Sequence, residues 1–232
     1  MQTGGTIHFS EPIWRVIPPA DSLGKPVVET RNQETGIPTF FLIDAENGAI
    51  ELEIADLTRH SQWVIHNANQ AAISAFDNPQ RPQLEGLALW QLEPLQLLNK
   101  ASAAIELQVT EGNLSYTNSN ASNPDFVLFS ENSNQAKVLN SNILTSENPT
   151  YKELISVLGA TIGTSFYIIE ADNEVIVSFA DEDYLTISSI SETEIITLFQ
   201  EHFSLPLNAE IISINRSLIA IPNPQELIIL SQ

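Results

Sequence analysis

The chain has 232 residues, 43% of them hydrophobic, which is enough to bury a core in one large domain or two small ones. Nine lysines and arginines stand against 29 aspartates and glutamates, so the formal net charge is −20. A field of that sign repels nucleic-acid phosphates and anionic membrane surfaces, and we expect neither as a partner. The charge serves solubility, or it forms an acidic face that docks a basic protein partner.

The chain contains no cysteine, which excludes disulfides and thiolate metal ligands. The amino terminus, MQTGGTIHFSEPIW, lacks a basic segment followed by an apolar one, so the sequence predicts no signal peptide. No apolar run approaches the ~20 residues that span a bilayer. We therefore expect a soluble, cytoplasmic protein, with a trimmed signal peptide as the alternative.

The first half of the chain contains two units in which strand candidates precede a hairpin pattern. In the first unit these are PIWRVI (Pro12–Ile17), PVVETR (Pro26–Arg31) and the hairpin FFLIDAENGAIEL (Phe40–Leu52). In the second they are SQWVIH (Ser61–His66), AAISAF (Ala71–Phe76) and the hairpin GLALWQLEPLQLL (Gly86–Leu98). An apolar run, a short polar break and a second apolar run are typical of a β-hairpin.

Tryptophans occur within these apolar strand patterns. Trp14 and Trp63 hold matching places in the two units, 49 residues apart, and Trp90 lies in the second hairpin. We expect the tryptophans to be core residues; the alternative is a ligand anchor at an open rim.

The stretch DAENG in the first hairpin has two interpretations. Asn47-Gly48 between apolar runs predicts a type I′ turn, in which both residues have positive φ. A calcium loop is the alternative, but it needs six or more oxygen ligands, and only Asp44 and Glu46 are local. The sequence favours the turn.

Further hairpin patterns follow at Phe126–Leu139, Phe166–Phe179 and Ile211–Ile221. The five hairpins start at residues 40, 86, 126, 166 and 211, in steps of 46, 40, 40 and 45. A step of about 40–50 residues is the span of one four-stranded propeller blade.

Two helices are predicted in the carboxyl-terminal part. In TYKELISVLG (Thr150–Gly159), Thr150 and Glu153 have capping-box spacing, and Gly159 is a natural stop. In SETEIITLFQEHF (Ser191–Phe203), Ser191 and Glu194 repeat that spacing.

No linear motif of a nucleotide-binding loop, zinc protease or serine hydrolase is present, and we expect no cofactor and no metal. His60 and His66 share a face if one strand holds both, but no third ligand is near. Asp181, Glu182 and Asp183 form the densest acidic cluster. A solvated loop is the simple interpretation of this cluster, and a docking patch for a basic protein is the functional one.

The beginning and end of the chain, FSEPIWRV and SINRSLIAIPNPQELIIL, resemble those of an uncharacterised bacterial family of unknown function. That resemblance implies no functional residues. The first two units, and a third that ends in the hairpin Phe126–Leu139, also resemble propeller blades in period and strand count.

The sequence thus predicts a mainly β, propeller-like single domain, 1–232, with about five hairpin units and two helices. The alternative is a β domain, 1–115, joined to an α+β domain, 116–232, of two helix–hairpin repeats. The repeats and the lack of catalytic motifs favour a non-enzymatic interaction module. The other functional hypothesis is a hydrolase-like enzyme with a channel site of scattered carboxylates and histidines.

Overall fold

The structure is a computed structural model that describes residues 2–76, 85–102, 105–110, 113–118, 125–128, 135–171, 174–191, 193–203, 207–215 and 217–231. This part of the chain forms 21 strands and one α-helix, so the protein is mainly β, as predicted.

The first nine described strands are β1 (Gln2–His8), β2 (Ile13–Ile17), β3 (Val27–Arg31), β4 (Pro38–Asp44), β5 (Ala49–Ile54), β6 (Ser61–His66), β7 (Gln70–Phe76), β8 (Glu85–Gln91) and β9 (Gln96–Ser102). They are followed by β10 (Ile105–Thr110), β11 (Asn113–Asn118), β12 (Asp125–Leu128), β13 (Val138–Asn140), β14 (Asn142–Leu144) and helix α1 (Tyr151–Leu158). The last are β15 (Phe166–Ala171), β16 (Glu174–Asp181), β17 (Tyr184–Ile190), β18 (Ile195–His202), β19 (Ile211–Ile214), β20 (Ser217–Asn223) and β21 (Glu226–Ser231).

The chain divides into two compact units. Unit 1 comprises Met1–Ser10, Ala45–Ala49 and Val138–Gln232, and unit 2 comprises Glu11–Asp44 and Ile50–Lys137.

Unit 2 is built from sheets that take their strands in sequence order: β2-β3-β4-β5, β6-β7-β8-β9 and β10-β11-β12. Alternate residues of β4 and of β7 contribute to one core cluster, because successive residues of a strand point to opposite faces. Phe40 packs edge-to-face on Trp63, with ring centroids 5.0 Å apart. Other members of this cluster are Val27, Leu42, Ile54, Ile73 and Leu92.

Unit 1 contains the sheets β1-β21-β20-β19-β13 and β14-β15-β16-β17-β18. The first described strand therefore pairs with the last one, with Ile7 opposite Leu227. The largest core cluster of the unit includes Ile169, Ile187, Phe199, Ile211, Leu218 and Ile228.

Four of the five predicted hairpins are confirmed, as the pairs β4–β5, β8–β9, β15–β16 and β19–β20. The prediction at Phe126–Leu139 is wrong, because β12 pairs with β11 and β13 pairs with β19. Nine residues separate these two strands, too many for a tight turn to impose their register, and 129–134 lie outside the described residues.

Helix α1 confirms the first predicted helix, and Gly159 ends it with φ +67. Its start differs in detail from the prediction. Thr150 already has helical backbone angles and its hydroxyl makes no capping hydrogen bond, so the capping box is absent. Instead, the Asn148 Oδ1 accepts the N–H of Thr150 at 3.0 Å.

The second predicted helix, Ser191–Phe203, is wrong. Ile195–His202 form β18, which pairs antiparallel with β17. The Ser191 Oγ does accept the N–H of Glu194 at 3.2 Å, but the Ser191 N–H donates to the Glu194 carbonyl, which closes a hairpin. The β-branched run Ile195, Ile196 and Thr197 favours a strand once a partner strand is available.

The predicted type I′ geometry of the turn at Asn47-Gly48 is wrong as well. Four residues, Ala45 to Gly48, connect β4 and β5, and Gly48 has the predicted positive φ of +61. Asn47 is not among the positive-φ residues of the described chain, whereas a type I′ turn needs positive φ at both positions. A four-residue hairpin loop is more often built around a type I turn.

Candidate ligand-binding cleft

Trp14 lies in β2 and is 67% exposed to solvent. The register pairs Ile13 with Thr30 and Arg15 with Glu29, so Trp14 is the extra residue of a β-bulge. A bulge leaves its extra residue unpaired and can redirect a side chain. The prediction that Trp14 is a core residue is therefore wrong.

Glu29 lies in β3 opposite Arg15 of β2, and its carboxylate is fully buried. Its Oε2 accepts a hydrogen bond from the Arg15 Nε at 2.7 Å. Its Oε1 accepts from the Arg31 Nε at 2.7 Å and lies 2.6 Å from the Arg31 Nη2. A buried charge is tolerated only when it is paired and hydrogen-bonded, and here two guanidinium groups satisfy one carboxylate.

These contacts fix Arg31 against the tryptophan. The Arg31 guanidinium carbon lies 5.4 Å from the centroid of the Trp14 ring, within the range of a cation–π contact. The Arg31 Nη1 donates to the carbonyl oxygens of Gly36 at 3.2 Å and Arg59 at 3.5 Å. Every side-chain nitrogen of Arg31 thus has a partner within the protein. The Arg31 guanidinium therefore holds Trp14 in place and is not available to bind a ligand.

Trp14 forms one wall of a cleft of about 570 Å³. The other charged, aromatic and amide side chains that line it are Arg31, Arg59, His60, Asn32, Gln33 and Gln62. None of the described lining residues carries a carboxylate, a hydroxyl or a thiol. In a chain with 29 acidic residues, the charged residues in the described lining of this cleft are all basic.

Arg59 differs from Arg31, because its guanidinium makes no ion pair with any carboxylate of the described residues. It extends past the turn at Gly36, which has φ +70. A Cβ on Gly36 would lie 3.3 Å from the Arg59 Nε, so glycine leaves room for the arginine. Arg59 therefore presents an available cation to the cleft.

The structure separates His60 and His66, the histidines considered as a metal pair. His60 lines the cleft, whereas His66 is fully buried. The His66 Nδ1 accepts the Trp63 indole N–H at 3.0 Å, and Nε2–H donates to the Lys25 carbonyl at 2.7 Å. Burial lowers the pKa of His66 to about 4, so the ring is neutral at pH 7. Both nitrogens are engaged, which leaves no lone pair for a metal.

The acidic cluster Asp181, Glu182 and Asp183 lies at the β16–β17 hairpin. The Asp181 Oδ2 accepts the N–H of Thr161 at 3.3 Å, and the Asp183 Oδ2 lies 2.5 Å from the His202 Nε2. Two of the three carboxylates thus have partners within the protein. Docking of a basic protein here stays a prediction.

The calcium alternative for DAENG finds no cluster of acidic side chains placed to hold the ion among the described residues. Asp44 lies 3.8 Å from the Lys25 Nζ, which also contacts Glu51 at 2.8 Å. Across the described parts of the chain, no group of three or more histidine, aspartate or glutamate side chains is placed to hold a metal ion.

Sequence reasoning missed the cleft and the pairing of Glu29 with Arg15 and Arg31. The strand candidates PIWRVI and PVVETR contain these residues, and opposite charges on adjacent strands are a usable signal. The bulge that exposes Trp14 leaves no mark of its own in the sequence.

None of the known family models and none of the curated proteins matches this chain. In the residues that the structure describes, no helix has the length and apolar character to cross a membrane.

Proposed function

We propose that the chain is a non-enzymatic binding module of propeller-like architecture, and that the Trp14 cleft is its ligand-contact surface. The architecture is supported by sheets that follow sequence order and by the pairing of β1 with β21. Pairing of a first strand with a last strand would protect the exposed edge of a terminal sheet.

The observation that carries the proposal is Trp14 itself. Trp14 is two-thirds exposed, so it makes little contact with the core. Its indole ring is nevertheless held in place by Arg31, which is fixed by the buried Glu29. A rigid aromatic side chain binds at low entropic cost, and tryptophan and arginine are enriched among residues that dominate binding energy.

The chemistry of the cleft favours binding over catalysis. Its described lining offers guanidinium groups, side-chain amides and one imidazole, but no nucleophilic hydroxyl or thiol and no carboxylate base. Covalent catalysis most often uses a hydroxyl, thiol or carboxylate nucleophile that is activated by a neighbouring base, and the described lining places none of these beside the His60 imidazole.

A fragment screen by ligand-observed NMR tests the proposal. We expect a set of planar fragments to bind the wild-type chain and to lose binding in Trp14→Ala. Tyr184→Ala is the matched control, because Tyr184 is a half-exposed aromatic residue in unit 1, on a cleft of about 410 Å³. Hits that persist in Trp14→Ala, or an absence of Trp14-dependent hits, would overturn the proposal.

A further inference from the structure

We infer that the Trp14 cleft recognises a carboxylate joined to a ring with an apolar face, aromatic or sugar, with the carboxylate on Arg59 and the ring face against Trp14. This inference rests on the proposed function, because it names the ligand class of the same cleft.

The charge pattern is the first argument. The chain has 29 acidic and nine basic residues, yet the described lining of this cleft includes two arginines and a histidine and no acidic residue. The cleft of about 410 Å³ in unit 1 is lined by Asp181 and Glu182, and another of about 320 Å³ in unit 2 by Glu51 and Glu93 beside Lys25. The charged lining of the Trp14 cleft therefore differs in sign from that of these two clefts.

The second argument is that the two arginines of the cleft differ in their bonding partners. Arg31 uses its Nε and Nη2 on Glu29 and its Nη1 on backbone carbonyls. Arg59 has no such carboxylate partner among the described residues and borders the same cleft. A planar guanidinium matches a carboxylate through two parallel hydrogen bonds. Arg59 is thus the group that is available for an anion.

The surrounding charge decides between a carboxylate and a phosphate. The net charge of −20 opposes any anion, and this opposition grows with the charge of the ligand. Screening at physiological salt acts over about 8 Å, which lets a local cation outweigh more distant carboxylates. One available arginine offsets a single charge better than a double one.

The amide side chains that line the cleft supply the remaining contacts of the site. The Asn32 side chain is engaged with Glu11 and with backbone N–H groups of its own turn. Gln33 and Gln62 are exposed amides at the cleft, suited to hydroxyl or carboxylate oxygens of the ligand. An aromatic acid and a sugar acid, each with an apolar ring face beside its carboxylate, fit the same groups.

Titrations with matched probes test the inference. Benzoate is compared with the neutral benzamide, glucuronate with glucose, and phenyl phosphate serves as the dianion. The Trp14 indole N–H signal reports binding, since the chain has three tryptophans and the Trp14 signal is the one missing in Trp14→Ala.

We expect at least one carboxylate to bind about tenfold or more tightly than its neutral counterpart, and benzoate more tightly than phenyl phosphate. The two pairs show whether the carboxylate belongs to an aromatic or to a sugar acid. Arg59→Gln removes the preference for the carboxylate. Lys152→Gln removes the same charge from an exposed position on α1 and leaves the preference unchanged.

The outcomes separate this inference from the proposed function. If neutral fragments bind in a Trp14-dependent manner but neither carboxylate exceeds its neutral counterpart, the inference is wrong and the proposed function stands. A carboxylate preference that survives in Arg59→Gln, or tighter binding of phenyl phosphate, also overturns the inference. If no probe or fragment depends on Trp14, both fail.

Discussion

Trp14 and Trp63 are each the third residue of their strand candidates, PIWRVI and SQWVIH, yet Trp14 is 67% exposed and Trp63 only 5%. Each strand contains a bulge, but at different positions: Trp14 is itself the extra residue of β2, whereas Val64 is the extra residue of β6. The shift by one residue changes which side chain leaves the regular pattern. Trp63 therefore packs in the core, and Trp14 becomes available at the cleft.

Glu29→Gln is expected to destabilise the fold. The change removes the negative charge that pairs with both Arg15 and Arg31, while Glu29 itself is fully buried. Loss of one partner of a buried pair costs about 3–5 kcal/mol, and the lower end applies because Arg15 is 44% exposed. Urea unfolding measures the effect, with the exposed Glu34→Gln as control. Equal stability of the two variants would show that the pairing does not support the fold.

Acidification is expected to destabilise the protein through His66. Its pKa is about 4 in the folded chain and about 6.5 when unfolded, so the unfolded state binds more protons between these values. Stability is then lost as the pH falls from about 6.5 to about 4, by about 3 kcal/mol. Unfolding curves across this range should show a weaker pH dependence in His66→Gln than in wild type. His202→Gln, at an exposed histidine, serves as the control.

Gly36→Ala is expected to weaken both stability and ligand binding. The residue has φ +70, and its new Cβ would press on the Arg59 Nε. The backbone penalty is about 1–2 kcal/mol, and displacement of Arg59 should reduce the preference for benzoate over benzamide. Gly159→Ala is a matched control, because Gly159 has φ +67 with no atom within 4 Å of the new Cβ. If Gly36→Ala and Gly159→Ala both bound benzoate as wild type does, the position of Arg59 would not matter for binding.

Gly48→Val is expected to lower the stability of the β4–β5 hairpin independently of calcium. Gly48 has φ +61, which costs a non-glycine residue about 1–2 kcal/mol and a β-branched one at least the upper value. Thermal melts of Gly48→Val with calcium and then with chelator should show the same loss of stability relative to wild type. Under the calcium interpretation, Asp44→Asn and Glu46→Gln would instead be costly only when calcium is present.

The sequence by itself determined most strands, four hairpins and the end of α1. These features depend on local chemistry: apolar runs broken by polar residues form hairpins, and Gly48 and Gly159 supply positive φ where a turn or helix end requires it. Such signals act between residues that are close along the chain, and they can be recognised without knowledge of the fold.

Only the tertiary structure decided the state of Ile195–His202, the partner of β13 and the exposure of Trp14. The first two depend on a neighbouring strand, β17 or β19, that supplies backbone hydrogen bonds and outweighs helix propensity or sequence proximity. The third depends on the register between β2 and β3, which places the bulge at Trp14 and sets Glu29 between two arginines. Strand register is a relation between distant residues, so the site arises from pairing and not from any local stretch of the sequence.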